Sequence, residues 1–436
     1  MTVRMAAVLS LNSTFKNGKF INLELDSAIR KYGFDERDRA FFTRLLYGTV
    51  EKKLTVDHII ASVSTVPMAK IRPLTLCILE TGVYQLFFMD RVPANAVCNE
   101  ATELVKQLCP GEYAGFVNAV LRSAVRQKTS LLSSLRAIPG MEGVSIRHNI
   151  PRWICESFAK DYGHAEAIAA GFDKQAPHIT LRVNTMKTTA EELLAGLPSD
   201  TAARAVGKEI VTLNKSVPIE SLYGFAEGLF FVQDESSALC AALITPSSIG
   251  KKQPVIIDTC ACPGGKTFAM AIQMKDAGKL YSFDLHENRL SLIRDGAKRL
   301  GLSCIECAAR DARTPDEALF GKADAVLCDV PCSGLGIIGK KPDIRFKKRE
   351  EIERLAAVQY DILCAGANYV KKGGLLVYST CTLRKAENED NVAAFLQSHP
   401  DFSLDVIPYA EGGMKTFFPH IDGTDGFFVA KMRRNG

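Results

Sequence analysis

The chain has 436 residues, of which 47% are hydrophobic and 24% are charged, and its formal net charge is +5. This length predicts two or three domains of about 100–200 residues each. The composition is typical of folded globular proteins, which excludes a wholly disordered chain, a fibrous chain and a small disulfide-stapled scaffold.

The apolar runs and the cysteines predict the cellular setting. No apolar run reaches the roughly 18 residues that a membrane span needs, and the N-terminal segment lacks the pattern of a secretory signal. Thirteen cysteines without such a signal indicate a reduced, cytoplasmic environment. The cysteines also lack the paired spacing of a zinc site. We therefore expect neither a membrane partner nor a bound metal.

The excess of positive charge lies in the N-terminal third. Residues 1–130 hold 17 Lys and Arg against 12 Asp and Glu, whereas the rest of the chain is balanced. A basic region on a neutral body favours a polyanionic partner. A solvated helix surface explains so small an excess equally well, so the charge alone leaves both interpretations open.

The N-terminal part of the chain reads as helical. Apolar residues recur at helical spacing, as in 40–47 and 115–122, and prolines divide the region into short helices. This pattern predicts an all-helical domain over 1–130. Residues 131–150 lose the clean periodicity, and we predict a linker there.

The remainder of the chain mixes strands and helices. Residues 151–235 contain two strand-like stretches with a helical stretch between them, which predicts a small α+β subdomain. From 236 to 436, short apolar strands alternate with glycine turns and helices, which is typical of a parallel, doubly wound α/β sheet. The strands of this sheet are predicted at 255–258, 279–284, 303–308, 323–329 and 375–379.

The first chemical motif is the turn DTCACPGGK over 258–266, which follows the first of these strands. Ligands of a doubly wound sheet bind beyond the carboxyl ends of its strands, and glycines let the backbone approach them closely. Asp284 ends the next strand, at a position suited to ribose hydroxyls. Asp311 follows the third strand, at a position suited to an adenine amino group. A purely structural loop is the alternative, and three acids after three successive strands weigh against it.

Two further strands end in cysteine motifs, DVPC over 329–332 and STC over 379–381. A thiolate that adds to C6 of cytosine makes C5 nucleophilic towards an activated methyl group, which is covalent catalysis. The thiol needs a lowered pKa, and an acid near N3, such as Asp329, helps the addition. Each cysteine alone is as readily explained by core packing. The pair beside an acid favours catalysis without deciding which thiol attacks.

A basic stretch follows the first cysteine motif. Six of the ten residues in 340–349 are Lys or Arg, and one is aromatic. A loop that contacts RNA phosphates next to the active site is one interpretation. A solvated loop and helix start is the other.

Taken together, these motifs resemble the NOL1/NOP2/Sun family of RNA cytosine-5 methyltransferases, over nearly the whole chain. The resemblance is carried by the turn at 258–266, the cysteine motifs at 329–334 and 379–382, the subdomain segments 181–184 and 232–234, and the N-terminal segments 38–41 and 115–122. It implies a Rossmann-like methyltransferase domain, preceded by the small α+β subdomain and by an all-helical NusB-like domain that binds RNA.

The resemblance also implies roles for individual residues. Cys381 would be the nucleophile, Cys332 would assist release of the covalent product, and Asp329 would lie near both the methyl donor and the target base. Cys262 departs from the family, which more often has alanine there, and we expect little effect. The donor S-adenosylmethionine would contact Cys260, Ala261, Cys262, Pro263, Gly264, Gly265, Lys266, Asp284, Asp311 and Asp329.

The expected activity is therefore formation of 5-methylcytosine in small-subunit (16S) ribosomal RNA. Two alternatives remain at this point: the same chemistry on transfer RNA, and a non-catalytic RNA-binding factor in ribosome assembly or antitermination. Because a base inside a helix is unreachable, naked or partly assembled ribosomal RNA is the expected partner. We expect a monomer.

Overall fold

The computed structural model describes residues 1–17, 21–109, 114–174, 179–214 and 217–436. The chain divides into two compact units. The first comprises Met1–Ala170 together with Lys341–Phe346, and the second comprises Gly171–Lys340 together with Lys347–Gly436. Within the described ranges, no helix is both long enough and apolar enough to cross a membrane.

The first unit is helical, as predicted. At its centre lies α5, where twelve of sixteen residues are buried, and a helix that is apolar on all sides is one that its neighbours surround. The helices are α1 (Val3–Asn17), α2 (Ile21–Tyr32), α3 (Glu36–Glu51), α4 (Lys53–Val63), α5 (Pro73–Phe88), α6 (Ala94–Leu108), α7 (Ala114–Arg126), α8 (Lys128–Ala137), α9 (Gly140–His148), α10 (Arg152–Tyr162) and α11 (Ala165–Lys174), the last of which ends in the second unit.

The structure corrects the predicted linker at 131–150. These residues form most of α8 and all of α9, and Leu131, Leu135 and Ile146 belong to the apolar core of the first unit. Asn149 ends α9 in the left-handed conformation, and its side chain accepts a hydrogen bond from the Thr55 amide at 2.9 Å. Burial of these apolar side chains stabilises helices that the local sequence pattern does not reveal.

The second unit begins with a small antiparallel sheet of order β2-β3-β1-β4, which confirms the predicted α+β subdomain. Its core contains Leu181, Leu193, Val211 and Phe230. The elements are β1 (Ile179–Val183), α12 (Ala190–Gly196), β2 (Ala203–Val206), β3 (Ile210–Leu213) and β4 (Phe230–Val232).

A larger sheet of order β10-β12-β9-β8-β5-β6-β7 follows, with β11 beside β12. Its strands are β5 (Val255–Asp258), β6 (Lys279–Asp284), β7 (Ile305–Ala309), β8 (Ala323–Asp329), β9 (Val370–Thr380), β10 (Phe402–Leu404), β11 (Met414–Phe417) and β12 (Phe427–Arg434). The accompanying helices are α13 (Glu235–Ala241), α14 (Pro246–Ile249), α15 (Gly265–Gln273), α16 (Glu287–Leu300), α17 (Arg349–Glu353), α18 (Leu355–Ala367), α19 (Glu389–Ser398) and α20 (Pro419–Asp422).

The five predicted strands are parallel, but the sheet as a whole is mixed. β12 pairs antiparallel with β9, and both β10 and β11 pair antiparallel with β12. The expectation of a purely parallel sheet is therefore corrected, because three strands near the C-terminus extend the sheet beyond β9. Helices cover both faces, as doubly wound folds require: Ile256 packs in the cluster that contains α15 and α16 residues, and Ile257 packs in the cluster that contains α18 and α19 residues.

The register of the parallel strands brings three of their carboxyl ends together. Asp258 of β5 pairs with Leu327 of β8, and Asp329 at the end of β8 pairs with Ser379 of β9. Ligand sites of such sheets lie beyond this edge. The segments that follow β5, β8 and β9 include the glycine turn and the two cysteines.

Candidate active site

The turn after β5 packs closely against the helix that follows it. Gly264 has φ of 111°, a conformation that glycine adopts without strain, and an added Cβ there would lie 2.6 Å from the Phe268 ring. The turn is closed by hydrogen bonds from the Ala261 amide to the Phe283 carbonyl and from the Gly264 amide to the Ala261 carbonyl, both at 2.7 Å. α15 begins immediately afterwards at Gly265.

A cavity of about 190 Å³ lies beside this turn. Buried polar atoms of its lining have no hydrogen-bond partner among the described residues: Oδ1 of Asp258, and both Oε1 and Nε2 of Gln233. A buried polar group without a partner is costly. The cavity therefore fits a polar ligand that both donates and accepts hydrogen bonds. It is lined by Val232, Gln233, Asp234, Ser237, Asp258, Ala261, Cys262, Pro263, Gly265, Lys266 and Asp329.

Seven of these lining residues come from the predicted motifs, and four do not. Val232, Gln233, Asp234 and Ser237 come from the end of β4 and the start of α13, and the sequence analysis did not assign them to the site. The signal that could have found them is the polar run QDES directly after an apolar strand, which is also a helix start: Asp234 accepts from the Ser236 amide at 3.0 Å. Such a pattern is common at helix N-termini, so it did not stand out.

Asp258 is almost fully buried, and burial raises its pKa to about 7. Its Oδ2 accepts a hydrogen bond from the Thr267 hydroxyl at 2.7 Å. The Asp258 carboxyl group therefore titrates near neutral pH, and a cationic ligand in the cavity would favour its ionised form.

Lys266 connects the turn after β5 with the first cysteine motif. Its Nζ lies 2.7 Å from Oδ2 of Asp329 and 3.3 Å from the Ser237 hydroxyl. Burial lowers the pKa of Lys266, but the Asp329 carboxylate outweighs it and the pKa is raised. The other oxygen of Asp329 accepts from the Ser379 hydroxyl at 2.7 Å. The Asp329 side chain is therefore held on both oxygens, by Lys266 and by Ser379.

The two motif cysteines lie against each other. Their Sγ atoms are 3.1 Å apart, and the Cys381 amide donates to the Cys332 sulfur at 3.3 Å. Both side chains are half-buried. The hydrogen bond with Cys381 raises the pKa of Cys332 well above its usual value, and burial raises it further. The two sulfur atoms are thus within hydrogen-bond distance, and either thiol can donate to the other.

The remaining predicted residues lie near the turn but outside the cavity lining. Asp284 is buried at the end of β6, and its Oδ2 lies 3.4 Å from Nη1 of Arg289. The Arg289 carbonyl accepts from the Cys262 sulfur at 3.3 Å, and burial, with a further contribution from Asp284, raises the pKa of Cys262 to about 12. Asp311, beyond β7, is paired with Arg313 at 2.6 Å. Cys260 and Gly264 are part of the turn but do not line the cavity.

The basic stretch at 340–349 contributes residues to both compact units. Lys340 pairs with Asp234 and lies 2.8 Å from Asp425, and Lys347 donates to the Ser333 carbonyl at 2.9 Å. Lys341–Phe346 belongs to the first unit, where Phe346 packs edge-on against Phe15. The phosphate-contacting role of this stretch stays a prediction. Lys341, Lys348 and Arg349 are exposed.

Across the described part of the chain, no cluster of three or more His, Cys, Asp or Glu side chains is arranged to hold a metal ion. The reactive groups near the ends of β8 and β9 are the thiols of Cys332 and Cys381, the Asp329 carboxyl group and the Lys266 amine.

Comparisons with known proteins agree with this architecture. The family model described as 16S rRNA methyltransferase RsmB/F matches residues 249–433. The NusB family model matches residues 1–126, and the ferredoxin-like domain of RsmF/B-like methyltransferases matches residues 150–220.

The similarity extends over the whole length of individual relatives. The chain is 35% identical to the probable ribosomal RNA small subunit methyltransferase B of Bacillus subtilis, covering 100% of this chain and 99% of the relative. It is 34% identical to the protein of that name from Synechocystis, covering 100% of both. The crystal structure of PH0851 has a TM-score of 0.82 at 26% identity and covers 99% of this chain and 98% of that one. Because two relatives, 35% and 34% identical, match this chain from end to end, this chain belongs to the ribosomal RNA small subunit methyltransferase B family of methyltransferases.

Proposed function

We propose that this protein transfers a methyl group from S-adenosylmethionine to C5 of a cytosine in 16S ribosomal RNA, through a covalent bond between Cys381 and C6. The observation that carries the proposal is the pair of thiols, 3.1 Å apart, after β8 and β9 and next to Asp329. Cytosine C5 is a poor nucleophile until a thiolate adds at C6, and this site supplies that thiolate.

The cavity beside the turn is the proposed donor site. S-adenosylmethionine brings an electrophilic methyl group, an ammonium group and a carboxylate. The unpartnered atoms of Gln233 and Asp258 would meet the polar end of such a ligand, since Gln233 can both donate and accept and Asp258 can accept. The rest of the proposed set is the turn from Cys260 to Lys266, with Asp284 and Asp311 towards the ribose and adenine and Asp329 towards the methyl group.

We propose the same two cysteine roles that the resemblance implies. Cys381 would attack as the thiolate, and Cys332, whose sulfur lies 3.1 Å away, would carry a proton that it can donate. The electron pair of the Cys381 sulfur forms the bond to C6, the pair of the C5–C6 double bond forms the bond from C5 to the methyl carbon, and the donor would leave as S-adenosylhomocysteine. Asp329, held by Lys266 and Ser379, steadies N3 of the base.

Release reverses the addition. The C5 proton passes to solvent water, its electron pair re-forms the double bond between C5 and C6, and the bond to Cys381 breaks with its pair on sulfur. The S–H of Cys332 stabilises that leaving thiolate. Without Cys332 the covalent product persists.

The substrate assignment rests on the relatives. The similar proteins are named as ribosomal RNA small subunit methyltransferases, and a NusB family domain precedes the catalytic region. We propose naked or partly assembled 16S ribosomal RNA as the partner, bound by a monomer in the cytoplasm. The domains would be the helical NusB-like region at the N-terminus, the subdomain over 151–235 and the methyltransferase domain over 236–436.

The test is methyl transfer from labelled S-adenosylmethionine to unmodified 16S ribosomal RNA and, separately, to unmodified transfer RNA, with mass spectrometry of the product nucleoside. We expect 5-methylcytosine in the ribosomal RNA alone. Product in transfer RNA alone would overturn the substrate, and no product in either would overturn the catalytic proposal.

Cysteine variants test the mechanism. Cys381→Ala is expected to abolish turnover, and Cys332→Ala to accumulate a protein–RNA adduct that survives a denaturing gel. Cys364→Ala is the matched control, since Cys364 is also half-buried but lies on α18, away from the strand ends. Full activity of Cys381→Ala would refute the assignment of the nucleophile.

A further inference from the structure

The residues on either side of Cys332 are fixed by a buried pair of side chains. Gln359 donates from Nε2 to the Pro331 carbonyl at 2.9 Å, and Oε2 of Glu387 accepts from the Ser333 amide at 2.9 Å. The same Nε2 donates to the same Oε2, also at 2.9 Å. The segment 331–333 is therefore closed into a ring of three hydrogen bonds.

Both members of the pair are fully buried, with no exposed surface. A buried carboxylate is costly unless hydrogen bonds and charge satisfy it, and well-packed apolar residues often serve stability as well or better. Glu387 is satisfied by Ser333 and Gln359, and by Arg384 at 3.3 Å. Because burying the Glu387 side chain is costly, its presence points to a role in fixing the positions of its neighbours at the site.

The pair ties the two cysteine segments together. Glu387 lies in the segment that follows Cys381, and Gln359 lies on α18. A second bond crosses the same gap, between the hydroxyls of Ser333 and Thr382 at 2.6 Å. Cys381 is anchored independently, because the preceding Thr380 pairs with Phe428 in β12. Loss of the pair would thus loosen the segment around Cys332, which the Ser333–Thr382 bond still holds on one side, and leave Cys381 in place.

We propose that Gln359 and Glu387 are positioning residues that hold the Cys332 thiol against Cys381 for the release step. This rests on the proposed function and deepens it. Removing the pair is expected to slow release of the methylated RNA while leaving attack and methyl transfer nearly unchanged, because Cys332 acts on the leaving thiolate.

The main test is Gln359→Met, which keeps the size of the side chain and removes the donor to Pro331. We expect steady-state turnover to fall about tenfold while single-turnover methylation stays within about twofold, with the adduct accumulating on a denaturing gel. Tyr360→Phe is the matched control, since Tyr360 is the next residue of α18 and bonds Ser398 instead, at 2.8 Å. It is expected to behave as the unaltered protein.

Two further measurements separate positioning from loss of structure. S-adenosylhomocysteine affinity, measured by calorimetry, is expected to be unchanged, since no residue of the cavity lining is altered. Adding Gln359→Met to Cys332→Ala is expected to cause no further loss, because residues that act through one group are not additive. Glu387→Gln, which keeps an oxygen for the Ser333 amide, is expected to recover most of the turnover lost in Glu387→Ala.

The results that overturn the inference are equally definite. Equal loss of single-turnover and steady-state rates without an adduct would show a merely structural role, as would full additivity with Cys332→Ala. Absence of 5-methylcytosine from the unaltered protein is a different outcome, which would overturn the proposed function itself.

Discussion

Asp258→Asn removes a buried carboxyl group whose cost to stability grows with pH. Asp258 is 1% exposed, and burial raises its pKa from an ordinary value of 3.8 to about 7. Between those values the unfolded chain has lost this proton and the folded chain has kept it. Unfolding therefore releases a proton, and the free energy of unfolding falls as the pH rises through this window. Above pH 7 the folded group is ionised as well, and the loss is complete.

The magnitude follows from the two pKa values. A tenfold change in proton affinity is worth about 1.36 kcal/mol, so the shift of Asp258 is worth about 4 kcal/mol. Asparagine carries no such proton and keeps an oxygen that can accept from Thr267. Relative to the unaltered protein, the variant is therefore expected to gain about 4 kcal/mol of stability between pH 4 and pH 8.

Urea denaturation of both proteins at pH 4, 6 and 8, followed by far-ultraviolet circular dichroism, measures this difference. Asp324→Asn is the matched control of opposite sign. Asp324 is also buried, but although burial alone raises its pKa, Lys251, Lys371 and the Val255 amide lower it. Its stabilising contribution is present above pH 4 and is lost as the pH falls further, so this variant is the weaker one at pH 8. A difference for Asp258→Asn that is flat, or that slopes the other way, would refute the reasoning.

Three further predictions concern the charges around the site. Binding of S-adenosylhomocysteine at pH 6 is expected to release up to one proton, because the ammonium group of this ligand favours ionised Asp258. Calorimetry in two buffers of different ionisation enthalpy measures the proton release. The Asp258→Asn variant should show no such release. Lys340→Met leaves buried Asp425 without its cation and is expected to cost about 3–5 kcal/mol in urea denaturation, whereas Lys279→Met breaks an exposed pair and is expected to leave the urea midpoint almost unchanged. Lys266→Met is expected to lower turnover about tenfold to hundredfold, and Lys266→Arg to recover part of it. Unchanged turnover would contradict a role for the Lys266–Asp329 pair.

The strand ends that frame the site could be predicted from the sequence. The strands 255–258, 279–284 and 323–329 were each predicted with the bounds that the structure shows. Each is an apolar run that ends at an acid, and acids and glycines interrupt strands because they do not fit a buried, pleated surface. The glycine turn and the first cysteine motif lie directly beyond the ends of β5 and β8, and the second cysteine motif lies at the end of β9.

Features that depend on distant pairing could not be predicted in this way. β12 (Phe427–Arg434) has no alternation, and only its pairing with β9 shows that it extends the sheet. α9 contains two glycines within nine residues, which is a weak helix signal, and it is stabilised by burial of Val144 and Ile146. Gln359 lies within a largely apolar helix, so no local pattern shows that its amide reaches Pro331.

The two cysteines are held by different kinds of interaction, and the difference suits different tasks. Cys381 directly follows a strand that is paired on both sides, so a cooperative backbone ladder fixes its position. Cys332 lies in a loop beyond β8, where side chains of Gln359 and Glu387 fix it. Segments held by few bonds open at lower free energy than strands in the middle of a sheet. The thiol proposed to attack thus lies at a rigid strand end, whereas the thiol proposed to assist departure lies on a segment that can move as the methylated base leaves.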